Sequence, residues 1–179
     1  KFKSLQKYPN SAEWPNAPTW IKSKDEKYSF HGYLNTFSHN INLIRYFFDE
    51  QPKVDYVKMK NDSVNIVILK YKKFNCLIET KNYKDDAWDE NIIIYFQNGY
   101  FKIDIPPQMK KNSCASFTIF NRKTLKKKIY KFKSKWSFYY QSKEFINNLK
   151  FKKNGISSSF DHIKDILLIE DIWKKWLKR

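Results

Sequence analysis

At 179 residues the chain is long enough for one domain or two small ones, and 41% hydrophobic and 18% aromatic residues are enough for a real core. Its three glycines, Gly32, Gly99 and Gly155, stand far apart, which excludes the clustered glycines of a Rossmann fingerprint or a P-loop. The net charge of +17 invites a nucleic-acid reading, and no apolar run approaches the roughly 20 residues a membrane span needs. The chain starts with Lys1 rather than Met, as a piece of something longer would. No signal-peptide pattern opens it, and two cysteines, Cys76 and Cys114, make no disulfide scaffold. A cytoplasmic, reducing setting is expected.

Residues 1–29 show little periodicity. The stretch "YPNSAEWPNAPTW" carries three prolines and two tryptophans, Trp14 and Trp20. Two readings stay open: a strap pinned over the domain by aromatic anchors, or a loop lining a ligand cleft. Residues 30–179 read as a single domain. Within "LNTFSHNINLIRYFFDE", Phe37, Ile41, Ile44 and Phe48 fall on one helical stripe, widened by Leu43 and Phe47. Pro52 lies beyond its end. His31 precedes Gly32 at the expected helix entrance, where it either hydrogen-bonds in a turn or faces a cleft.

From Val54 the period changes to two. "VDYVKMK", "VNIVILKY" and "FNCLIET" read as strands, followed by a polar loop. Asn98-Gly99 between two β-rich runs is a hairpin signal, and Pro106-Pro107 stops the second arm. "CASFTIF" and "TLKKKIYKF" form another pair, turning at Asn121 to Lys123. The short connections leave no room for helical crossovers, so the sheet is expected to be mainly antiparallel. "FYYQSKEFINNLK" is a helix. A second follows Ser158, with an S-x-x-D capping spacing to Asp161 and a stripe at Ile163, Ile166, Leu167, Ile169 or Glu170, Trp173 and Trp176–Leu177. The expected class is α+β: an open, mainly antiparallel sheet with helices on one face. The run "IIIYF" is apolar on both sides, so a second subunit or domain is expected on the other face.

The helix stripe opposite the phenylalanines carries Asn35, His39, Asn42 and Tyr46. A satisfied structural histidine with local hydrogen bonds explains it. So does a ligand-facing stripe: amides and imidazole both donate and accept, the mixture a polyhydroxylated ligand needs, and His39 could exchange a proton near neutral pH. His162, beside Asp161 in the first turn of the last helix, reads as an exposed helix residue. No residues stand at metal-ligand spacing. The basic segment "LKKKIYKFKSKW" has the look of a phosphate-tracking surface. Against that, arginine occurs only at Arg45, Arg122 and Arg179, lysine is spread along the whole chain, and the segment alternates like a half-exposed strand.

Three stretches in order, "GYLNTFSHNINLIRYFFDE", "WDENIIIYFQNGYFKIDIPP" and "WSFYYQSKEFINNLKFKKNGISSSFDHIKDILLIEDIW", resemble the C-terminal domain of the Gfo/Idh/MocA oxidoreductases, the glucose–fructose oxidoreductase and inositol dehydrogenase relatives. The resemblance implies a substrate-binding α+β domain whose open sheet forms a homodimer or tetramer. It implies a partner Rossmann domain, in the same or another chain, holding NAD or NADP, and a sugar or sugar-derivative substrate. It places His39 on the family's histidine in a D-x-x-x-H-x-x-D helix pattern, in contact with substrate and in acid–base chemistry. Asn35 and Asn42 stand where that pattern has Asp, and Asn supplies no negative charge to the imidazole. Asn35, Asn42, Tyr46, His31 and Trp20 are the expected substrate contacts. The family's catalytic lysine belongs to the Rossmann half, so the isolated chain is expected to be catalytically silent. A stand-alone binding or scaffold domain is the alternative.

Overall fold

The computed structural model describes residues 17–48, 50–60, 64–81, 88–132, 136–153, 155 and 159–178. The strap expected over residues 1–29 lies, up to residue 16 and including Trp14, outside the described residues. The element order is α1 (Lys24–Phe47), β1 (Lys53–Lys60), β2 (Val64–Lys70), β3 (Asn75–Lys81), β4 (Glu90–Phe96), β5 (Gly99–Ile105), β6 (Ser116–Asn121), β7 (Lys126–Lys131), α2 (Ser137–Phe151) and α3 (Ser159–Leu177). The class is α+β and every strand pair is antiparallel. Among the described residues seven strands form two sheets, β1-β2-β3 and β4-β5-β6-β7, instead of one open sheet. By contacts the chain divides into two compact units, Lys1–Asn82 with Ser159–Arg179, and Tyr83–Ser158.

The first unit holds the buried core. Helix α1 starts ten residues before Leu34, which places His31 and Gly32 inside it and not at its entrance. The start signal is Ser23, whose side chain accepts from the Glu26 amide, with Asp25 and Glu26 placing negative charge in the first turn. The S-x-x-E spacing of Ser23 and Glu26 is a capping-box pattern hidden among polar residues. Phe30, Tyr33, Ile41 and Ile44 are the buried positions of α1. They meet Leu168, Ile169, Ile172 and Trp173 of α3 and Met59, Val67, Leu69 and Ile78 of the three-stranded sheet in one cluster. The register puts Met59, Asn65 and Thr80 in one row and Val57, Val67 and Ile78 in another, so alternate residues share the core face. Tyr56 and Leu77 are exposed on the other face. Helices on one face of a sheet therefore hold for this unit. Cys76, a free thiol, is half-buried at the edge of the core, and burial pushes its pKa up. Cys114 is also free and half-buried, two residues before β6.

Helix α3 buries only part of the expected stripe, Ile169 and Trp173. Asp165, Leu168, Ile169, Ile172 and Trp173 are buried, whereas Ile163, Ile166 and Leu167 are exposed. The helix is apolar around most of its circumference, so its period does not select a face; the match to α1 does. Gly32 costs α1 helix propensity without a packing reason, since a Cβ there would meet nothing within 4 Å. Gly32→Ala is expected to stabilise the protein by about 0.5–1 kcal/mol, read as a higher urea midpoint with an unchanged m-value.

In the second unit, Phe96 and Gly99 close a two-residue β4–β5 turn over Gln97 and Asn98. The β6–β7 turn is carried by residues 122–125, with Leu125 left-handed (φ 53°) and exposed. In register, Ile92, Ile103, Phe117 and Tyr130 share one row, and Tyr95, Tyr100, Phe120 and Lys127 share a row on the opposite face. All six residues of the edge strand β7 are exposed, and its lysines mark an edge protected against pairing with another strand. Helix α2 has no side-chain cap, no acid in its first turn and no buried residue. Its lead-in is tied down where Trp136 Nε1 donates to the Gln108 carbonyl (2.9 Å).

Candidate functional site

The α1 stripe stands as the spacing requires. At about 100° per residue, Asn35, His39, Asn42 and Tyr46 fall within an arc of about 60°, opposite the face that carries Ile41 and Ile44. Asn35, His39 and Tyr46 are exposed. Among the described residues no carboxylate pairs with His39. Shallow hollows among the described residues lie elsewhere, one of about 480 Å³ along Tyr56–Lys60 of β1 and one of about 310 Å³ on α2 beside Tyr139 and Ile146.

The other two candidates, Trp20 and His31, both lie against Phe30. Trp20 is half-buried, edge-on to Phe30 at 5.9 Å between centroids, with Lys174 Nζ 5.5 Å from its ring centre. Phe30 is edge-on to Trp173 at 5.4 Å, and Tyr33 lies 6.0 Å from the same indole. Trp20 thus caps the α1–α3 core, as an aromatic anchor does. His31 is half-buried and tilted against Phe30 at 6.2 Å; one turn before Asn35 and about 20° around α1 from Asn42, it extends the stripe to an arc of about 80°. Tyr33 Oη and Trp173 Nε1 are buried and make no hydrogen bond among the described residues, and burial raises the Tyr33 pKa.

Asn42, at the edge of the stripe, reaches with its amide into the α1–α3 seam. The two helices run antiparallel, Tyr33 meeting Trp173 and Arg45 meeting Asp161. At the seam Asn42 Nδ2 donates to Asp165 Oδ2 at 2.8 Å. Arg45 Nη1 pairs with Asp165 Oδ1 and donates to the Asp161 carbonyl at 3.1 Å, while its Nη2 pairs with Asp161 Oδ1 at 2.8 Å. His162 Nδ1 lies 3.1 Å from Asp165 Oδ2. The Asp165 side chain is 2% exposed and that of Arg45 9%, whereas His162 is 56% exposed. Burial acts against the charge on Arg45, but hydrogen bonds to Asp165 and Asp161 outweigh it and raise its pKa.

Sequence reasoning missed this cluster, although one signal was available. Asp165 sits three, four and seven residues before Leu168, Ile169 and Ile172, in a helix's core stripe. A carboxylate there requires a cation from another element, and Arg45 is one of only three arginines.

The Arg45 hydrogen bond holds the Asp161 carboxyl below its ordinary 3.8. A depressed folded pKa contributes stability that is fully present above the unfolded value and is lost as pH falls through the folded one. Melting temperature should therefore drop on acidification below about pH 4, and Asp161→Asn should flatten that drop.

Among the described residues no three His, Cys, Asp and Glu side chains gather as a metal site, and no helix is long and apolar enough to cross a membrane. No family model matches the chain, and no curated protein matches it.

Proposed function

We propose that the chain is the substrate-binding and oligomerisation domain of an NAD(P)-dependent oxidoreductase acting on a sugar or sugar derivative. One observation carries the reading: α1 exposes Asn35, His39 and Tyr46 along one stripe while its opposite face is core. An amide, an imidazole and a phenol each donate and accept hydrogen bonds, which suits a ring of hydroxyls better than Lys or Glu would. The resemblance of three stretches to the Gfo/Idh/MocA C-terminal domain supplies the reaction class.

The described residues offer no glycine-rich turn for a dinucleotide. Gly32 lies inside a helix, Gly99 opens β5 in a hairpin, and Gly155 follows α2, so none stands at a strand-to-helix turn. The cofactor belongs to another domain, in this or another chain. The apolar row Ile92, Ile103 and Phe117, followed by Ile94, Phe101 and Ile119 on the same face of the four-stranded sheet, supports self-association.

Saturation-transfer NMR of the chain with a panel of hexoses, hexosamines and cyclitols tests the binding role. A signal from at least one of them, lost in Tyr46→Ala and in His39→Ala, is expected. Silence across the panel removes the sugar reading. A non-catalytic binding or scaffold domain would give the same binding, and separates from the enzyme reading only by turnover with an NAD(P)-binding partner domain.

A polyanion-binding module is favoured by one observation of its own. Between residues 105 and 143 the chain has eleven Lys and Arg and no carboxylate, and β7 exposes its four lysines on both faces. Gel shifts with single-stranded DNA in rising salt decide it: phosphate binding falls steeply with salt, sugar binding does not.

A further inference from the structure

We propose that His162, oriented by Asp165, is the proton-exchanging group at the edge of the α1 stripe; this rests on the sugar-binding reading of that stripe. The geometry that carries it is a single buried oxygen. Asp165 Oδ2 receives both Asn42 Nδ2 and His162 Nδ1, at 2.8 and 3.1 Å. Asn42 is one turn of α1 from His39 and belongs to the same stripe, so the shared oxygen brings His162 of α3 to the border of that stripe. An Asp and a His three residues apart on a bare helix would be an ordinary surface pair. Here the carboxylate is buried and fixed from a second helix by Arg45 and Asn42, so it cannot swing out to solvent.

The chemistry follows from what each group can do. A carboxylate paired with a guanidinium only accepts, so Nδ1 of the imidazole must present its hydrogen to Asp165. In the neutral ring the lone pair then sits on Nε2, while the side chain as a whole remains half-exposed. A ligand hydroxyl donating to Nε2 can pass its proton there, which leaves an alkoxide and an imidazolium, and the imidazolium's charge is offset by the Asp165 carboxylate. The proton returns by the reverse path. The carboxylate that Asn35 and Asn42 cannot offer to His39 is thus present in the fold, but it faces the other histidine. Asp165 is a positioning residue in this arrangement, and Arg45, Asp161 and Lys164 are the other charged groups around it. Asn42 is fixed in the same way: the carboxylate takes its NH2 group, so its Oδ1 remains the acceptor.

The test uses the chain as it is. In a histidine-labelled sample at alkaline pH, two-bond 1H–15N correlations report which nitrogen of each imidazole carries hydrogen. The Nδ1–H form is expected for His162, and the Nε2–H form, which free imidazoles of this type favour, is expected in Asp165→Asn. Diethylpyrocarbonate should modify His162 several-fold faster than His39, and Asp165→Asn should remove that difference. If Asp165→Asn does not fold, the wild-type measurements still decide. An Nε2–H tautomer at His162, or a slower reaction there than at His39, overturns the proposal and leaves the sugar reading standing with His39. The converse failure, no sugar bound in the NMR panel, removes the ligand and leaves the tautomer result untouched.

Discussion

Replacing Arg45 with Ala should destabilise the first unit by about 3–5 kcal/mol, because it strands the Asp165 carboxylate in the core without its countercharge. The guanidinium makes three of the bonds that tie α1 to α3: to Asp165 Oδ1, to Asp161 Oδ1 and to the Asp161 carbonyl. Arg45→Lys should recover only part of the loss, since an ammonium lacks the planar fork that reaches both acids. The double variant Arg45→Met/Asp165→Leu should be much closer to wild type than Arg45→Ala, because neither charge is then left unpaired. Urea unfolding followed at Trp20 and Trp173, both next to the seam, measures all of these. Equal losses in Arg45→Ala and the double variant would show that the pair is no more than packing.

Gly99→Ala should cost about 3 kcal/mol and act on the four-stranded sheet. Gly99 has φ +148°, and a Cβ there would stand 1.9 Å from the Phe120 carbonyl oxygen and 2.9 Å from its carbon. Both atoms are backbone of β6, so no side chain can rotate away. Gly99 pairs with Phe96 on one side and Asn121 on the other, and the Arg122 amide donates to the Asn98 carbonyl at 2.8 Å. Pushing β5 off β6 breaks both hairpins at their shared corner. In a 1H–15N spectrum, losses confined to residues 90–131 would match this origin. Unchanged stability would mean that β6 relaxes at no cost.

The strands were legible because alternation with bounding turn residues has few other meanings. Asn98-Gly99 marked a hairpin and the structure turns there. Division into two sheets was not legible, because a strand's own pattern does not say which neighbour it pairs with. On α1 the phenylalanine and isoleucine stripe is amphipathic, and Ile41 and Ile44 are buried as expected. The helix start was missed because Lys24 to Tyr28 is polar and exposed nearly all round, so its only signature is the cap at Ser23. On α3 the expected Ile163 and Leu167 are exposed and Asp165 is buried, because a helix apolar on several sides takes its inner face from its neighbour. Asn42 shows the same limit for the site. Its place on the stripe was readable, but its bond to Asp165, 123 residues on, was not.

Helix α2 has a kinetic consequence. A 15-residue helix without a side-chain cap or a first-turn acid is near the length at which isolated helices are marginal in water, and it buries no side chain to compensate. Its amides should exchange with deuterium orders of magnitude faster than those of α1 and α3, whose inner faces are locked in the core. Whatever comes to lie on Phe145 and Leu149 would slow that exchange, so α2 is a built-in reporter of assembly that needs no label.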